Sequence, residues 1–234
     1  PLGLSTWGAR TNHLLRSNDF ANAAWAKVRA TVTASAWTSQ RGQVFAKLVE
    51  DSSASIDHYI AQGYSGFVAG EVYSLYVDVK AAERSFLVLW LSGGIFSDAA
   101  PRNAVFNAVT GAVLSTSGSG VVTSAKDMGE GIWRVCLTVT ASVTATINLL
   151  LMLHNGTTTF YTGNGSSGVY IGRAMLTNGL GDIPYVDTTA AAVTAPADVA
   201  AIAGGNFSKW FNPAEGTLLR IVRPDYAALQ TTGA

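Results

Sequence analysis

From Glu71 to Lys80 the chain alternates with a period of two: Tyr73, Leu75, Val77 and Val79 fall on one side, and Ser74, Tyr76, Asp78 and Lys80 on the other. Successive side chains of an extended strand point to opposite faces, so this pattern specifies a strand with one face in a core and the other toward solvent or ligand. Trp133, Val135, Leu137 and Val139 repeat the pattern against Arg134, Cys136, Thr138 and Thr140. The i, i+3, i+4, i+7 spacing of an amphipathic helix is nearly absent, and the chain reads as all-β.

Strand signals separated by turn clusters fall near Arg29 to Ala34, Gln43 to Val49, His58 to Gln62, Glu71 to Lys80, Ser85 to Leu91 and Asn103 to Val109. They continue near Ala112 to Thr116, Val121 to Ala125, Gly131 to Thr140, Thr144 to Leu153, Thr158 to Thr162 and Val169 to Thr177. Thr110-Gly111 and Asn155-Gly156 punctuate the pattern where a turn needs positive φ. Short strands with one-face alternation and no βαβ rhythm predict two packed antiparallel sheets, a jelly-roll β-sandwich. One short helix is predicted over Phe20 to Lys27, capped by Asn18 or Asp19.

The organisation expected is a lead-in with that helix over 1–28, the sandwich over 29–186, and a segment over 187–234. Small, unpatterned residues such as Thr188-Thr189-Ala190-Ala191-Ala192 mark a linker, and Phe207 to Val222, with Trp210 and Phe211, reads as an extended arm or hairpin that needs a partner surface, or as the truncated start of a second domain.

Composition removes several function classes. Fifteen basic residues balance fifteen acidic ones, so the charge footprint of a nucleic-acid binder is missing, and no polybasic stretch addresses anionic lipid. The longest apolar run, Ile147 to Leu153, is far shorter than the ~20 residues of a membrane helix, so no membrane insertion is expected and the run reads as a buried strand. No charged-then-apolar leader pattern opens the sequence. Cys136 is the sole cysteine, which leaves no intrachain disulfide and no thiolate metal cluster; within Trp133 to Val139 it reads as a packed strand residue. The Asn-x-Ser/Thr triplets at Asn155, Asn164 and Asn206 are what a Gly/Ser/Thr-rich chain produces by chance. Only 13% of residues are charged against roughly 25% in an ordinary domain, which suits a chain embedded in an assembly.

No catalytic set emerges. Gly163-Asn164-Gly165-Ser166-Ser167-Gly168 fits the dinucleotide fingerprint, but a strand-like Val169-Tyr170-Ile171 follows where a helix is required, so it reads as a loop between strands. His13, His58 and His154 form no metal-ligating pair, and Glu50-Asp51 reads as a solvated strand end. A glycosidase needs two carboxylates across a cleft; Asp57 with Asp78 or Asp98 is the distant pair on offer. Aromatic residues are more informative, because sugar sites place a ring under the apolar face of a pyranose and amides around its hydroxyls. With Leu149, Leu151 and Leu153 pointing inward, Trp90, Asn148 and His154 fall on an outer face matching that of Tyr76, and these four form the candidate carbohydrate platform. A one-residue slip in register would bury all of them.

Arg10-Thr11-Asn12-His13-Leu14-Leu15-Arg16-Ser17-Asn18-Asp19-Phe20, followed by Asn22-Ala23-Ala24-Trp25, resembles the start of a module found in phage tail-fibre, spike and other virion proteins. Ala46 to Asp51, Val79 to Ser85, Gly129 to Val135, Tyr161 to Ile171 and Ala191 to Ala200 resemble its further landmarks in the same order. The resemblance implies a sandwich like that of carbohydrate-binding modules, on a tail fibre, spike or head fibre of a virion, without catalysis and without a cofactor. It also implies contact with other virion proteins, a homo-oligomer with a trimer favoured, and contact with bacterial surface polysaccharide. Similar sandwiches commonly hold a structural calcium ion, although no dense acidic loop marks one here. A purely structural connector or decoration protein is the alternative, and a component of a polysaccharide depolymerase a further one. Gly172 stands where many relatives carry an aromatic, Ala195 replaces a frequent Arg, and the segment like Phe207 to Leu219 opens a second lectin-like sandwich in several relatives.

Overall fold

The computed structural model describes residues 7–181 and 183–198. One compact unit spans Arg10–Ala195 and is built of β1 (Arg10–Asn12), β2 (Ala26–Val28), β3 (Ala30–Thr38), β4 (Val44–Glu50), β5 (Tyr59–Phe67), β6 (Val72–Ala81) and β7 (Phe86–Leu91). After a single 3-10 turn at Gly93–Ile95 come β8 (Arg102–Asn107), β9 (Val113–Ser117), β10 (Val122–Gly129), β11 (Ile132–Thr140), β12 (Ala145–His154), β13 (Gly168–Asn178) and β14 (Val193–Ala195). No α-helix occurs among the described residues.

Two antiparallel six-stranded sheets carry the fold, the first in the order β10-β11-β6-β13-β4-β3 and the second in the order β2-β5-β12-β7-β8-β9. The connections β4 to β5, β5 to β6, β6 to β7, β11 to β12 and β12 to β13 all pass from one sheet to the other, and late strands β13 and β12 slot between earlier neighbours. This is the jelly-roll form of the sandwich read from the alternation. The inner faces close over one core that includes Leu75, Val77 and Val79 of β6, Val135 and Leu137 of β11, and Leu149, Leu151 and Leu153 of β12.

Three local expectations are corrected. Residues 20–25 form consecutive turns rather than a helix and 26–28 a strand, because Phe20 and Trp25 are drawn into the core, 0% and 1% exposed, and Ala26–Val28 pairs with β5. Thr158 to Thr162 is a loop; Asn155 accepts from the backbone N–H groups of Thr157 and Thr158, and only Tyr161 bridges back, to Ile56. Residues 10–28 of the lead-in and 187–195 of the linker enter the same unit as the sandwich, since β1 pairs with β14. Asn12, fully buried, donates to the carbonyls of Ala174 and Val186 and accepts from Leu14 and Leu176 N–H, which ties the lead-in to β13. Within the other unit, Trp7 and Asp198 exchange hydrogen bonds of 3.0 and 2.8 Å. The arm expected over Phe207 to Val222 lies outside the described residues.

The sequence landmarks of the resemblance meet in space. Glu50 accepts both Nε and Nη2 of Arg84 at 2.8 and 2.6 Å, the Tyr161 hydroxyl at 2.7 Å and the Asn164 N–H at 3.0 Å. Glu50 is therefore no solvated strand end: it is 1% exposed and joins β4, the β6–β7 turn and the Gly-rich loop. Burial alone would raise its pKa, but the hydrogen bonds from Arg84, Tyr161 and Asn164 outweigh burial and hold it below its usual range.

Candidate functional site

The structure separates the four residues of the predicted platform. Tyr76 lies on the outer face of the first sheet, whereas Trp90 on β7 and Asn148 and His154 on β12 lie on the outer face of the second. Every side chain has the in-or-out sense predicted, but the β6–β7 connection changes sheets, so the two outer faces lie on opposite sides of the sandwich.

The outer face around Tyr76 is occupied by the chain itself. Ile183, Tyr185 and Val186 pack on Tyr76, Cys136 and Met175, and Tyr76 is fully buried with its hydroxyl on the Met175 sulfur and, at 3.4 Å, the Ile183 carbonyl. Burial pushes the Tyr76 hydroxyl well above its usual range. Beside it Arg134 binds both oxygens of buried Asp78, at 2.7 and 3.1 Å. Burial raises the Asp78 carboxyl against the pull of that guanidinium. Tyr185 holds the covering segment down through a hydrogen bond with Ser17 at 2.6 Å, and its hydroxyl also donates to Asp187 at 2.8 Å.

A second segment covers the part of that face around Phe45, while the outward residues of β10 stay exposed. The β3–β4 hairpin tip reaches the β10–β11 turn, where the Gln40 N–H donates to Glu130 and Arg41 to the Met128 carbonyl. Trp37 stands over Phe45 with ring centroids 5.2 Å apart, and the Lys80 ammonium lies 5.0 Å from the Trp37 ring centre. Gly172 explains the room for these rings: a Cβ there would stand 3.0 Å from two carbons of Phe45.

Among the described residues nothing comparable lies over the outer face of the second sheet. Tyr59, Met152, Val88 and Val105 form one row across β5, β12, β7 and β8, and Ala61, Leu150, Trp90, Asn103 and Ser117 form the next, which runs on to β9. Val88, Met152 and Val105 make an apolar floor, 0 to 5% exposed, packed by the half-buried Tyr59, Phe86, Trp90 and Leu150. Asn148 projects beyond Leu150, exposed and opposite Gly63. His154 and Phe86 close the other end with ring centroids 5.8 Å apart.

The polar groups of this face are amides, hydroxyls and a neutral imidazole. Asn103, beside Trp90, is 8% exposed and its amide has no hydrogen-bond partner among the described residues; the same holds for the exposed Asn148 amide. The His154 Nδ1 accepts the Gly156 N–H at 2.9 Å, which places the ring proton on Nε2, and burial pushes the His154 pKa down. No Asp, Glu, Lys or Arg stands in these rows; Arg29 is at the rim, 6.0 Å from the Tyr59 ring centre. Rings flanked by unpartnered amides can stack on a pyranose and hydrogen-bond its hydroxyls.

The sequence reading missed Tyr59, Phe86, Leu150 and Asn103. The signal was present in Ile147 to Leu153: an apolar run with both alternate sets apolar is a strand whose outer face is also greasy, and β12 is central in its sheet. Cys136 is a packed strand residue, 3% exposed. Gly163 to Gly168 leads into β13, with no helix to receive a phosphate. Among the described residues no group of three or more His, Cys, Asp or Glu side chains could hold a metal ion, so no ligands can be named for the calcium ion that the resemblance implies.

No protein-family model matches the chain, and no curated protein does. Among the solved structures that match the chain are two with partial coverage. One is the enzymatically active domain of tailspike protein 4 of bacteriophage CBA120, with TM-score 0.43 and 11% identity, covering 70% of this chain and 21% of that one. The other comprises the CBM22-1-GH10 modules of endo-1,4-beta-D-xylanase 10B of Clostridium thermocellum complexed with xylohexaose, with TM-score 0.42 and 16% identity, covering 76% of this chain and 30% of that one. The chain therefore spans less than a third of either neighbour. Both neighbours are enzyme domains or modules by description, and the expectation that this chain is not an enzyme is withdrawn on that finding.

Proposed function

We propose that this chain is a module of a phage virion appendage and that the outer face of its second sheet contacts carbohydrate on the host surface. The observation that carries this reading is the Trp90–Leu150–Asn103 row: a half-buried ring on an apolar floor, next to amides without protein partners, on the broad sheet face that the described chain leaves uncovered. The ordered landmarks from Arg10 to Ala200 support the virion setting. A shallow face of this kind binds weakly per site and gains strength from several copies on one particle, which fits the proposed homo-oligomer.

A glycan array followed by calorimetric titration of the wild-type chain and Trp90→Ala tests the proposal. Micromolar to millimolar binding that falls at least tenfold in the variant is the expected result. Absence of binding to every glycan at millimolar ligand, or equal binding by the variant, would sink it.

The second reading, a structural connector or decoration protein, draws on the floor of Val88, Met152 and Val105, since an apolar sheet face also suits protein packing. Sedimentation equilibrium separates the two: the connector reading expects self-association that Trp90→Ala weakens in the absence of any sugar.

A further inference from the structure

We infer that the saccharide taken by the second-sheet face is uncharged, a neutral polysaccharide rather than a uronate, sialate or phosphate-bearing one. The inference rests on the glycan reading above and adds the chemical class of the ligand.

The central rows of the face contain rings, aliphatic side chains, amides and hydroxyls, and no charged group. A carboxylate or phosphate laid against Trp90 and Leu150 would lose part of its hydration, and compensation requires a nearby cation. Among the described residues no cation stands beside Trp90 and Leu150: Asn103 lies opposite the ring, Arg102 on β8 is held by Asp98, Ala100 and Ser119, and Arg29 stands at the Tyr59 edge with its Nε donating to the Asp57 carbonyl. His154 adds no charge near neutral pH, because burial lowers its pKa and the Gly156 N–H claims its Nδ1. Asn103 and Asn148, by contrast, each offer an unpartnered donor and acceptor on one amide, the pair that a sugar hydroxyl satisfies in either role. Cations occur on the first sheet, where Lys80 and Arg134 serve Glu130 and Asp78 under the covering segments.

Affinity electrophoresis and titration against soluble neutral polymers (a β-glucan, a xylan, a galactomannan, a dextran) and acidic ones (polygalacturonate, alginate) provide the test, run at low salt and at about 0.5 M salt, where charge contacts are screened. At least one neutral polymer should bind, with affinity changed less than twofold by salt and reduced at least tenfold in Trp90→Ala. Asn148→Lys, at an exposed side chain, should gain salt-sensitive affinity for the acidic polymers that the wild type lacks. Tighter wild-type binding of an acidic polymer, relieved by salt, would overturn the neutral-ligand inference while leaving the glycan reading standing. Binding of neither class, or self-association through this face that Trp90→Ala abolishes, would overturn both.

Discussion

Trp90 and His154 show how much of a single residue's role depends on what its strand is laid against. Each points outward as the alternation requires, yet Trp90 is a half-buried ring over apolar side chains, whereas Tyr76, equally outward by pattern, is fully buried under the segment carrying Ile183 and Tyr185. A partly exposed ring on a sheet face can be truncated with little damage to the core, so Trp90→Ala should keep the folded spectrum and a cooperative denaturation curve while losing the proposed sugar binding. His154 supplies a pH dependence with a definite sign. Its folded pKa lies below the ordinary 6.5, so as pH falls from that value the unfolded chain takes up a proton before the folded one does. Its contribution to stability is complete above 6.5 and declines as pH drops toward the folded-state pKa. Urea denaturation at several pH values should show this loss in the wild type and its absence in His154→Gln.

At the level of elements, the landmarks of the sequence resemblance act as clamps. Glu50, Arg84, Tyr161 and Asn164 come from three separate motifs and close on one buried carboxylate, while Asn12 and Ser17 of the first motif fasten the lead-in to β13 and to Thr188. Removing one partner strands the other charge, so Glu50→Gln should cost about 3–5 kcal/mol in denaturant unfolding. Tyr161→Phe, which deletes one hydrogen bond to that charge, should cost roughly 1.5–3 kcal/mol. The carboxyl titrates below its ordinary 4.5, so the stabilisation it provides is intact above that pH and lost as pH falls through the folded-state pKa; the acid limb of a stability profile should flatten in Glu50→Gln. The Thr110-Gly111 turn is equally specific. Gly111 has φ +72° and an added Cβ would stand 2.1 Å from Trp133, so Gly111→Ala should lose more than the ~1–2 kcal/mol of a left-handed residue alone, read as a lowered denaturation midpoint. The helix expected over Phe20 to Lys27 failed for a related reason: the burial of Phe20 and Trp25 and the pairing of Ala26–Val28 with β5 outweigh the weak local helical preference.

At the scale of the whole molecule, the described sandwich has a core between its sheets and two unequal outer faces. Truncating Leu75, fully buried between the sheets, should lower global stability by about 2–5 kcal/mol without altering the proposed sugar affinity under folding conditions, which separates the core from the face experimentally. The β-sandwich and eleven of its strands were legible in the amino-acid order, because a period of two is a local property of the chain and survives any arrangement of neighbours. The inward set Leu149, Leu151 and Leu153 was legible for the same reason. The platform was legible only in part. Which sheet a strand enters is set by connections that cross the core, and whether an outward face stays open is set by segments far away in sequence, here 183–186 over Tyr76 and the β3–β4 tip over Phe45. Alternation dictates in or out for each side chain; only the packed jelly roll decides which outward residues share a surface, since that depends on pairings between distant strands that no local period encodes.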